Sequence, residues 1–523
     1  MENMELIILI TSDVHSHIFS VNDGKNEQEP QGMAKAASII KKIRQSNSHT
    51  ILIDNGDLIQ GTPLANYAIN ISNLSHPAIT INNLLQYDAA VIGNHEFNYG
   101  KEVLKKIAFQ SEFPWISANV VKKGTETPYF GNPYIIREFK GLRVAVLGLT
   151  TKYIPYWESQ KHIADFDFLD PLETAKKWIT YLKTSEQADL IIVSYHGGFE
   201  KNPKTLALIG QDNGENQGYA LATQLAGIDC LITGHQHLLF STVLTNGIPV
   251  IQPGTGAAYL GKVTFKLVKE NEKWLVQEKQ LEQISVKEAE PDREIIEAVQ
   301  PIIKQAEQWL DQEIGRIAGD MTITEPIWQV WMKEHPLVEW INKVQMKAAD
   351  VGISCTSLLD AKIKGLSEVV SRNDIMNVYP FPNTLVVMKL TGNEIIQALE
   401  VSASFLLLNE DGGVSVNPDW NKPRLLTYNY DMWEGIEYEI DLTQPIGNRV
   451  RKIIYRGEPL AKLAYYQVAM NSYRASGSGG YEMFSPKKVV KEIHKEISEL
   501  LIEDLIEKKT VQANVNQNWK VTY

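Results

Sequence analysis

Short apolar runs recur through the first half of the chain, and each one ends close to a glycine or a polar side chain. The six clearest runs cover residues 6–10, 50–53, 89–92, 144–147, 190–193 and 230–233. Amphipathic stretches such as 34–44 and 171–183 lie between them. This alternation predicts a layered α/β domain in which the polar residues after the runs meet at one edge of a sheet.

The pattern changes near residue 290. Residues 292–315 have the apolar spacing of one charged, amphipathic helix, which Pro301 is expected to kink or divide. Further on, the pattern predicts two strands and two helices, at 385–390, 452–455, 337–349 and 393–406. We therefore predict a first domain over residues 1–290, a helical linker over 291–325 and a second domain over 326–523.

Composition and charge narrow the class of protein. A chain of 523 residues is too long for one hydrophobic core, and 44% hydrophobic with 22% charged residues is ordinary for a globular protein. The net charge of -12 argues against binding to a nucleic-acid polymer, because such a partner requires a basic surface. A small anionic substrate stays possible, since metal cations and a few local bases can hold it.

The two cysteines and the absence of long apolar stretches argue against disulfide-rich, thiolate-metal and membrane proteins. Cys230 and Cys355 are far apart, so neither a disulfide framework nor a thiolate metal site is indicated. No stretch approaches the about 20 apolar residues of a membrane span, and the first apolar run is too short for a signal peptide. We expect a cytoplasmic protein without a membrane anchor, provided that Met1 is the natural start, and we favour a monomer while leaving the oligomeric state open.

Polar side chains that can bind metal ions follow the apolar runs. They comprise carboxylate, amide and imidazole donors: Asp13, His15, Asp57, Asn94, His196, His235 and His237. A lone Asp-x-His or His-x-His pair is more often an ordinary polar pair than a ligand set. Seven such donors in this order match the inventory of a two-metal phosphoesterase centre, for which manganese, zinc, iron and cobalt all remain candidates.

The local spacing suggests how these donors divide. Asp57 follows Gly56 at a strand end, so its carboxylate is the best candidate to bridge two cations, which would otherwise repel each other. Asp13 and His15 lie two positions apart and can bind one ion together. His235 and His237 have the same spacing and can divide between the two ions. We assign no ligand role to His49, His76, His162, His335 and His494.

Five blocks of the first half resemble the successive motifs of the calcineurin-like metallophosphoesterases. They are DVH (13–15), GDLIQGT (56–62), GNHEFNYG (93–100), SYHGG (194–198) and GHQH (234–237). More narrowly, the chain resembles the 5′-nucleotidase family, because YPFPNTLVVMKLTG (379–392) and NSYRASGSGGYEMF (471–484) are similar to that family's substrate-binding domain. The resemblance implies an α/β fold class: a four-layer α/β/β/α sandwich followed by a smaller α/β substrate-binding domain.

The resemblance also implies roles for individual residues. One metal ion would be held by Asp13, His15, Asp57 and His237, and the other by Asp57, Asn94, His196 and His235. A metal-bound hydroxide would attack phosphorus, while His95, the catalytic histidine beside Asn94, would protonate the leaving alkoxide. The base of a nucleotide substrate would stack between Phe381 and Tyr473, and the further candidates for substrate contact are Asn383 and Arg474.

Two departures from the family pattern favour one branch. Many 5′-nucleotidases carry aspartate where this chain has Asn98, and their Asn-Gly-Gly-Gly-Ile-Arg segment is replaced here by TSLLDAKI (356–363). We therefore predict hydrolysis of 2′,3′-cyclic nucleotides to 3′-nucleotides, and of 3′-nucleotides to nucleosides and phosphate. The alternatives are a 5′-nucleotidase or nucleotide-sugar hydrolase and, in another class, a catalytically silent nucleotide-binding protein.

Overall fold

The computed structural model describes residues 2–18, 31–156, 158, 160–202, 205–209, 214–271, 273–324, 330–381, 383–420 and 427–523. The chain divides into two compact units, Met1–Ala306 and Glu307–Tyr523. This division falls within the predicted linker of residues 291–325, and the predicted domain limits themselves stay predictions. Among the described residues, no helix is both long and apolar enough to cross a membrane.

The first unit alternates strands and helices. Its strands are β1 (Glu2–Thr11), β2 (Thr50–Asp54), β3 (Ala89–Val91), β4 (Trp115–Ile116), β5 (Val120–Lys122), β6 (Tyr134–Phe139), β7 (Leu142–Thr150), β8 (Phe166–Phe168), β9 (Leu190–His196), β10 (Cys230–Ile232), β11 (Leu239–Val243), β12 (Pro249–Pro253), β13 (Tyr259–Glu270) and β14 (Lys273–Ser285). Its helices are α1 (Met33–Ser46), α2 (Pro63–Asn70), α3 (Pro77–Leu84), α4 (Gly100–Gln110), α5 (Gln160–Ile163), α6 (Pro171–Thr184) and α7 (Gly218–Gln224), and α8 (Arg293–Leu310) follows them across the division.

Two six-stranded sheets form the centre of this unit. Their strand orders are β14-β13-β1-β2-β3-β4 and β11-β12-β10-β9-β7-β6. Alternate residues of β1, such as Leu6 and Ile8, pack with Val144 and Ile192 of the second sheet in one buried core. The opposite face of the second sheet packs against α6 and α7. Since Ile7 and Leu9 on the other face of β1 are also fully buried, each sheet is covered on both sides, as a four-layer sandwich requires.

Parallel pairing places the functional loops at common sheet edges. Strands β1, β2 and β3 run parallel in the first sheet, and β7, β9 and β10 run parallel in the second. The loops after their carboxyl ends therefore lie together within each sheet. The two edges are joined by a 2.7 Å hydrogen bond between Nδ1 of His196 and the carbonyl oxygen of Asn55.

The second unit is built around a five-stranded sheet, in which the strands lie in the order 432–434, 353–356, 465–471, 384–391 and 489–496. Its strands are β15 (Glu313–Ala318), β16 (Met321–Thr322), β17 (Ile353–Thr356), β18 (Gly365–Leu366), β19 (Val369–Ser371), β20 (Thr384–Thr391), β21 (Leu406–Leu408), β22 (Val414–Val416), β23 (Met432–Glu434), β24 (Glu437–Asp441), β25 (Val450–Tyr455), β26 (Glu458–Pro459), β27 (Tyr465–Asn471), β28 (Val489–Glu496), β29 (Thr510–Gln512) and β30 (Trp519–Thr522). Its helices are α9 (Pro336–Ala349), α10 (Arg372–Val378), α11 (Gly392–Ala403), α12 (Ser472–Ala475) and α13 (Ile497–Lys508).

Two predicted helices are too long. The helix predicted over 292–315 ends at Leu310 and passes through Pro301 as one helix, while Gly315 lies in β15. Strand β15 pairs with β19 and β29, so partners distant in sequence override the local helical pattern. The helix predicted over 393–406 ends at Ala403, because Leu406 begins a hairpin between β21 and β22.

Candidate metal centre

Asp57 occupies the centre of the predicted donor set. Its side chain is buried, and Oδ1 accepts a 2.8 Å hydrogen bond from the backbone nitrogen of His95. The other oxygen, Oδ2, lies 3.2 Å from Nε2 of His196 and 3.9 Å from Nε2 of His15. These two histidines belong to different donor groups, so a single carboxylate oxygen faces both.

The first donor group combines residues from the loops after β1 and β10. Nε2 of His15 lies 3.0 Å from Nε2 of His237, which in turn lies 3.6 Å from Oδ1 of Asp13. Burial lowers the pKa of His15 to about 3, so its imidazole is neutral. Burial also lowers the pKa of His237. Two such imidazoles and a carboxylate that point at one volume form a ligand set for a divalent ion.

The second donor group lies on the other side of Asp57. Oδ1 of Asn94 is 3.1 Å from Nε2 of His196 and 2.9 Å from Nδ1 of His235. Ligands that bind one ion at about 2.1 Å and at right angles lie about 3 Å apart, so these separations suit a common ion. Both groups are compact, with donor atoms of Asp13, His15 and His237, and of Asp57, His196 and His235, all within 4.8 Å inside each group.

The electrostatics of the site also fit cations. Burial would lower the pKa of His196, but the carboxylates of Asp57, Asp13 and Glu96 outweigh it and raise this pKa to about 10. The surrounding carboxylates therefore favour a positive charge at this position, as a proton on His196 would provide. A divalent cation bound by the same groups would supply that positive charge instead.

Backbone strain is concentrated at these ligands. Five of the seven have a positive φ: Asp13 (52°), His15 (49°), Asp57 (56°), His235 (67°) and His237 (57°). Residues other than glycine rarely adopt this left-handed conformation, and they keep it only where the surrounding structure imposes it. The strain is consistent with a fold that holds these side chains at fixed positions for binding.

Glycines in the motifs leave room that the ligands use. A Cβ on Gly93 would lie closer than 3.0 Å to Oδ1 and the backbone nitrogen of Asp57. A Cβ on Gly234 would also lie closer than 3.0 Å to Oδ2 of Asp13 and to the hydroxyl oxygen of Ser12. At both positions, any larger residue would displace a carboxylate of the donor set.

His95 borders the same volume without belonging to either donor group. Its side chain is 33% exposed, and Nε2 lies 4.0 Å from Oδ2 of Asp57. The other ring nitrogen, Nδ1, is 2.7 Å from Oδ1 of Asn98. His95 therefore directs one nitrogen toward the predicted metal site and is held in the protein through the other.

The predicted base-binding residues lie in the second unit. Phe381 is 43% exposed and Tyr473 is 38% exposed, so both rings are accessible to a ligand. Tyr473 lies on α12 and makes an edge-to-face contact with Tyr428, with ring centroids 6.1 Å apart. Asn383 is half-buried, and its carbonyl oxygen accepts a hydrogen bond from the backbone of Ile497.

Each unit of the chain matches the model of a known protein family. The family model for the calcineurin-like phosphoesterase matches residues 6–239, and that for the 5′-nucleotidase C-terminal domain matches residues 313–486. The crystal structure of a "Putative 5'-Nucleotidase from Staphylococcus aureus" is 33% identical, with a TM-score of 0.80, over 99% of this chain and 100% of that chain. The chain belongs to the 5′-nucleotidase family of calcineurin-like phosphoesterases. The predicted family and the predicted two-part α/β fold are confirmed.

Two relatives of this phosphoesterase have names that describe their activity. The 2′,3′-cyclic-nucleotide 2′-phosphodiesterase/3′-nucleotidase of Haemophilus influenzae is 28% identical, over 99% of this chain and 87% of that protein. The trifunctional nucleotide phosphoesterase protein YfkN of Bacillus subtilis is also 28% identical over 99% of this chain. This chain spans only 39% of the length of YfkN.

Three polar residues that the sequence analysis missed support the phosphoesterase site. The buried carboxylate of Glu96 accepts hydrogen bonds from the backbone nitrogens of Asp57, Leu58 and Gly93. The carboxylate of Glu215 lies 2.9 Å from Nε2 of His235, and the amide of Asn55 accepts from the hydroxyl of Ser194. Glu96 stands inside the GNHEF motif, whereas nothing in the sequence marks Glu215.

Arg474, grouped with the substrate-binding candidates in the sequence, is buried in the structure. It is 1% exposed, and Nε lies 2.7 Å from Oδ2 of Asp431. The guanidinium also donates to the carbonyl oxygens of Tyr428 and Ser478. Arg474 is thus placed to support the segments around Tyr473 from inside the unit rather than to face a ligand.

We expect Asp431→Ala to lower the free energy of unfolding by about 3–5 kcal/mol, because it leaves a buried guanidinium without its counter-ion. Urea denaturation of the purified protein measures this loss. The control Asp411→Ala, in an exposed turn where the side chain caps the nitrogen of Gly413, should cost about 1 kcal/mol or less. Equal losses in the two variants would contradict a stabilising role of the buried pair.

Proposed function

We propose that this phosphoesterase hydrolyses 2′,3′-cyclic nucleotides to 3′-nucleotides and then releases phosphate from the 3′-nucleotides. The observation that carries the proposal is the position of Asp57, whose Oδ2 faces histidines of both donor groups while His95 lies beside it. The name of the Haemophilus influenzae relative supports the choice of substrate. The same chemistry serves both steps, since each breaks one P–O bond to a ribose oxygen.

The donor groups support a proposal of two cation sites. Asp13, His15 and His237 with Asp57 would hold one divalent ion, and Asn94, His196 and His235 with Asp57 would hold the other. Divalent cations there would polarise the phosphoryl oxygens and activate water as the nucleophile. The mixed oxygen and nitrogen donors suit manganese, zinc, iron or cobalt.

His95 would act on the leaving group. Nε2 is the ring nitrogen on the side of Asp57, so it can donate a proton to the ribose oxygen as the bond from that oxygen to phosphorus breaks. In the first step, the 2′ oxygen leaves and the phosphate stays on the 3′ oxygen. In the second step, the 3′ oxygen leaves and inorganic phosphate is released.

A 5′-nucleotidase is the second candidate. The description of the Staphylococcus aureus structure and the family of residues 313–486 both favour it. The same metal centre would then receive a 5′ phosphate, so the two candidates differ in the nucleotide that is bound and not in the chemistry. The further alternative, a silent nucleotide-binding protein, does not explain why all seven donors converge.

Phosphate release from 2′,3′-cyclic AMP, 3′-AMP and 5′-AMP tests these candidates. Each substrate is assayed with added Mn²⁺ and again after treatment with a chelator. We expect turnover of the first two substrates, its loss on chelation and its recovery with Mn²⁺. Preference for 5′-AMP would establish the second candidate, and no turnover of any substrate would favour the binding protein.

The exposed rings of the second unit carry a separate prediction. We expect Phe381→Ala and Tyr473→Ala each to raise KM for 3′-AMP by about 5- to 150-fold, because stacking on a base contributes about 1–3 kcal/mol. Steady-state kinetics measures this, with Tyr473→Phe expected to stay near the wild type. The control Tyr465→Ala removes another exposed ring of the same unit, and an equal rise in its KM would contradict the assignment.

The nucleotide is thus the proposed partner of this protein. The absence of a nucleic-acid polymer as partner, the cytoplasmic location and the monomeric state stay predictions from the sequence.

A further inference from the structure

Four polar side chains form a hydrogen-bonded row that begins at His95 and leads away from the metal centre. Nδ1 of His95 is 2.7 Å from Oδ1 of Asn98, whose Nδ2 donates a 2.9 Å hydrogen bond to Oε2 of Glu158. Oε1 of Glu158 lies 2.7 Å from Nδ1 of His162. Glu158 is only 8% exposed, so its carboxylate is held largely out of water. Neither Glu158 nor His162 was marked by the sequence.

The carboxylate determines which way the Asn98 amide points. An ionised carboxylate only accepts hydrogen bonds, so it selects the NH₂ end of the amide. The carbonyl end of Asn98 must then face His95. The reversed amide would place its oxygen against the oxygen of Glu158 and would lose the hydrogen bond to that carboxylate.

The amide in turn determines the proton on His95. A carbonyl oxygen only accepts, so Nδ1 of His95 carries a hydrogen in both charge states of the ring. Nε2 is therefore the nitrogen available for proton transfer to a substrate, and it is the one near Asp57. With the opposite amide orientation, Nδ1 would accept a hydrogen bond and the neutral ring would carry its proton on Nε2.

We propose that Glu158 is a positioning residue for the reaction, which acts through the amide of Asn98 to fix the orientation and tautomer of His95. Its position is supported from the far side by His162, whose ring packs against Gly100 at the start of α4. The proposal rests on the proposed function, because it requires that His95 donates a proton to a leaving oxygen. Glu158 would thus influence the reaction although the side chains of Asn98 and His95 lie between its carboxylate and the reacting atoms.

A comparison of two substrates distinguishes a positioning role of Glu158 from a general structural role. The ribose alkoxide of 3′-AMP needs a proton to leave, whereas p-nitrophenolate leaves without one. We expect Glu158→Gln to lower kcat for 3′-AMP by about tenfold and Glu158→Ala by up to about 100-fold, with KM little changed, because partners that orient a functional histidine carry effects of this size. The kcat for p-nitrophenyl phosphate should change by less than about twofold in both variants.

A second substitution tests whether the effect passes through Asn98. In the Glu158→Gln background, Asn98→Asp places a carboxylate directly against Nδ1 of His95, and we expect it to restore most of the lost kcat. The control Glu186→Gln alters a half-buried glutamate of the same unit, which accepts from Tyr134 and pairs with Arg143, and it should leave kcat unchanged. Metal content and melting temperature are measured for every variant.

Selective loss on 3′-AMP with recovery by Asn98→Asp supports the proposal. Unchanged kcat in both Glu158 variants overturns it, and so does an equal loss on both substrates that Asn98→Asp does not restore. If the wild-type protein prefers 5′-AMP, that nucleotide replaces 3′-AMP as the alkyl ester. Failure of the substrate assignment is then distinguishable from failure of the positioning role.

Discussion

Replacing Asp57 by asparagine is expected to lower phosphate release by about 10³-fold or more, since a metal centre supplies several kcal/mol of transition-state stabilisation. The substitution preserves the shape of the side chain and a carbonyl that can accept from the backbone nitrogen of His95, as Oδ1 does now. It removes the negative charge between two positions where cations would repel each other. We therefore expect less bound metal as well as slower turnover.

Two measurements are needed for this variant. Phosphate release from the preferred nucleotide gives kcat, and elemental analysis of dialysed protein gives the metal bound per chain. The control Asp165→Asn changes an exposed aspartate of the same unit, which pairs with Lys101, and should affect neither quantity. A variant of Asp57 that retained both full metal content and wild-type kcat would refute the bridging role.

Removing the imidazole of His95 is expected to lower kcat for the nucleotide by about 10²- to 10⁴-fold, the range for loss of a positioned proton donor. His95→Ala leaves all seven predicted ligands in place, so the bound metal should stay at the wild-type level. The loss should be smaller for p-nitrophenyl phosphate, whose leaving group needs no proton. This difference separates proton donation from metal binding.

A histidine of the same unit provides the control for this variant. His49→Ala removes a ring that packs edge-to-face on Phe139, and it should leave the kinetics of both substrates unchanged. If His95→Ala lost metal together with activity, His95 would instead serve the metal centre as a structural residue.

The convergence of the predicted donors could be anticipated from the sequence, because most of them directly follow short apolar runs. Asp13, Asp57 and Asn94 each come shortly after a short apolar run, and parallel strands bring such loops together whatever the sequence between them. His196 ends its strand, and His235 follows the next parallel strand by three residues. The spacing of the apolar runs, with polar residues shortly after them, therefore indicated which loops would meet.

Other features depend on contacts that no local pattern records. Residues 313–315 continue the helical pattern of α8, yet they pair with β19, which lies more than 50 residues away in the sequence. Arg474 lies in a Gly/Ser-rich segment, and its position is explained by the buried Asp431 and the carbonyl oxygens of Tyr428 and Ser478. Glu158 is separated from Asn98 by 60 residues, and the sequence alone shows no link between the two.

The close approach of Gly93 and Gly234 to the carboxylates of Asp57 and Asp13 bears on protein design. Transferring the seven donors to another scaffold would reproduce the chemistry of the ligands but not the two gaps into which their carboxylates fit. A scaffold with alanine at either position would shift a ligand by more than the about 0.5 Å that a preorganised site tolerates. A transplanted centre must therefore keep glycine at the two corresponding positions as well as the seven donors.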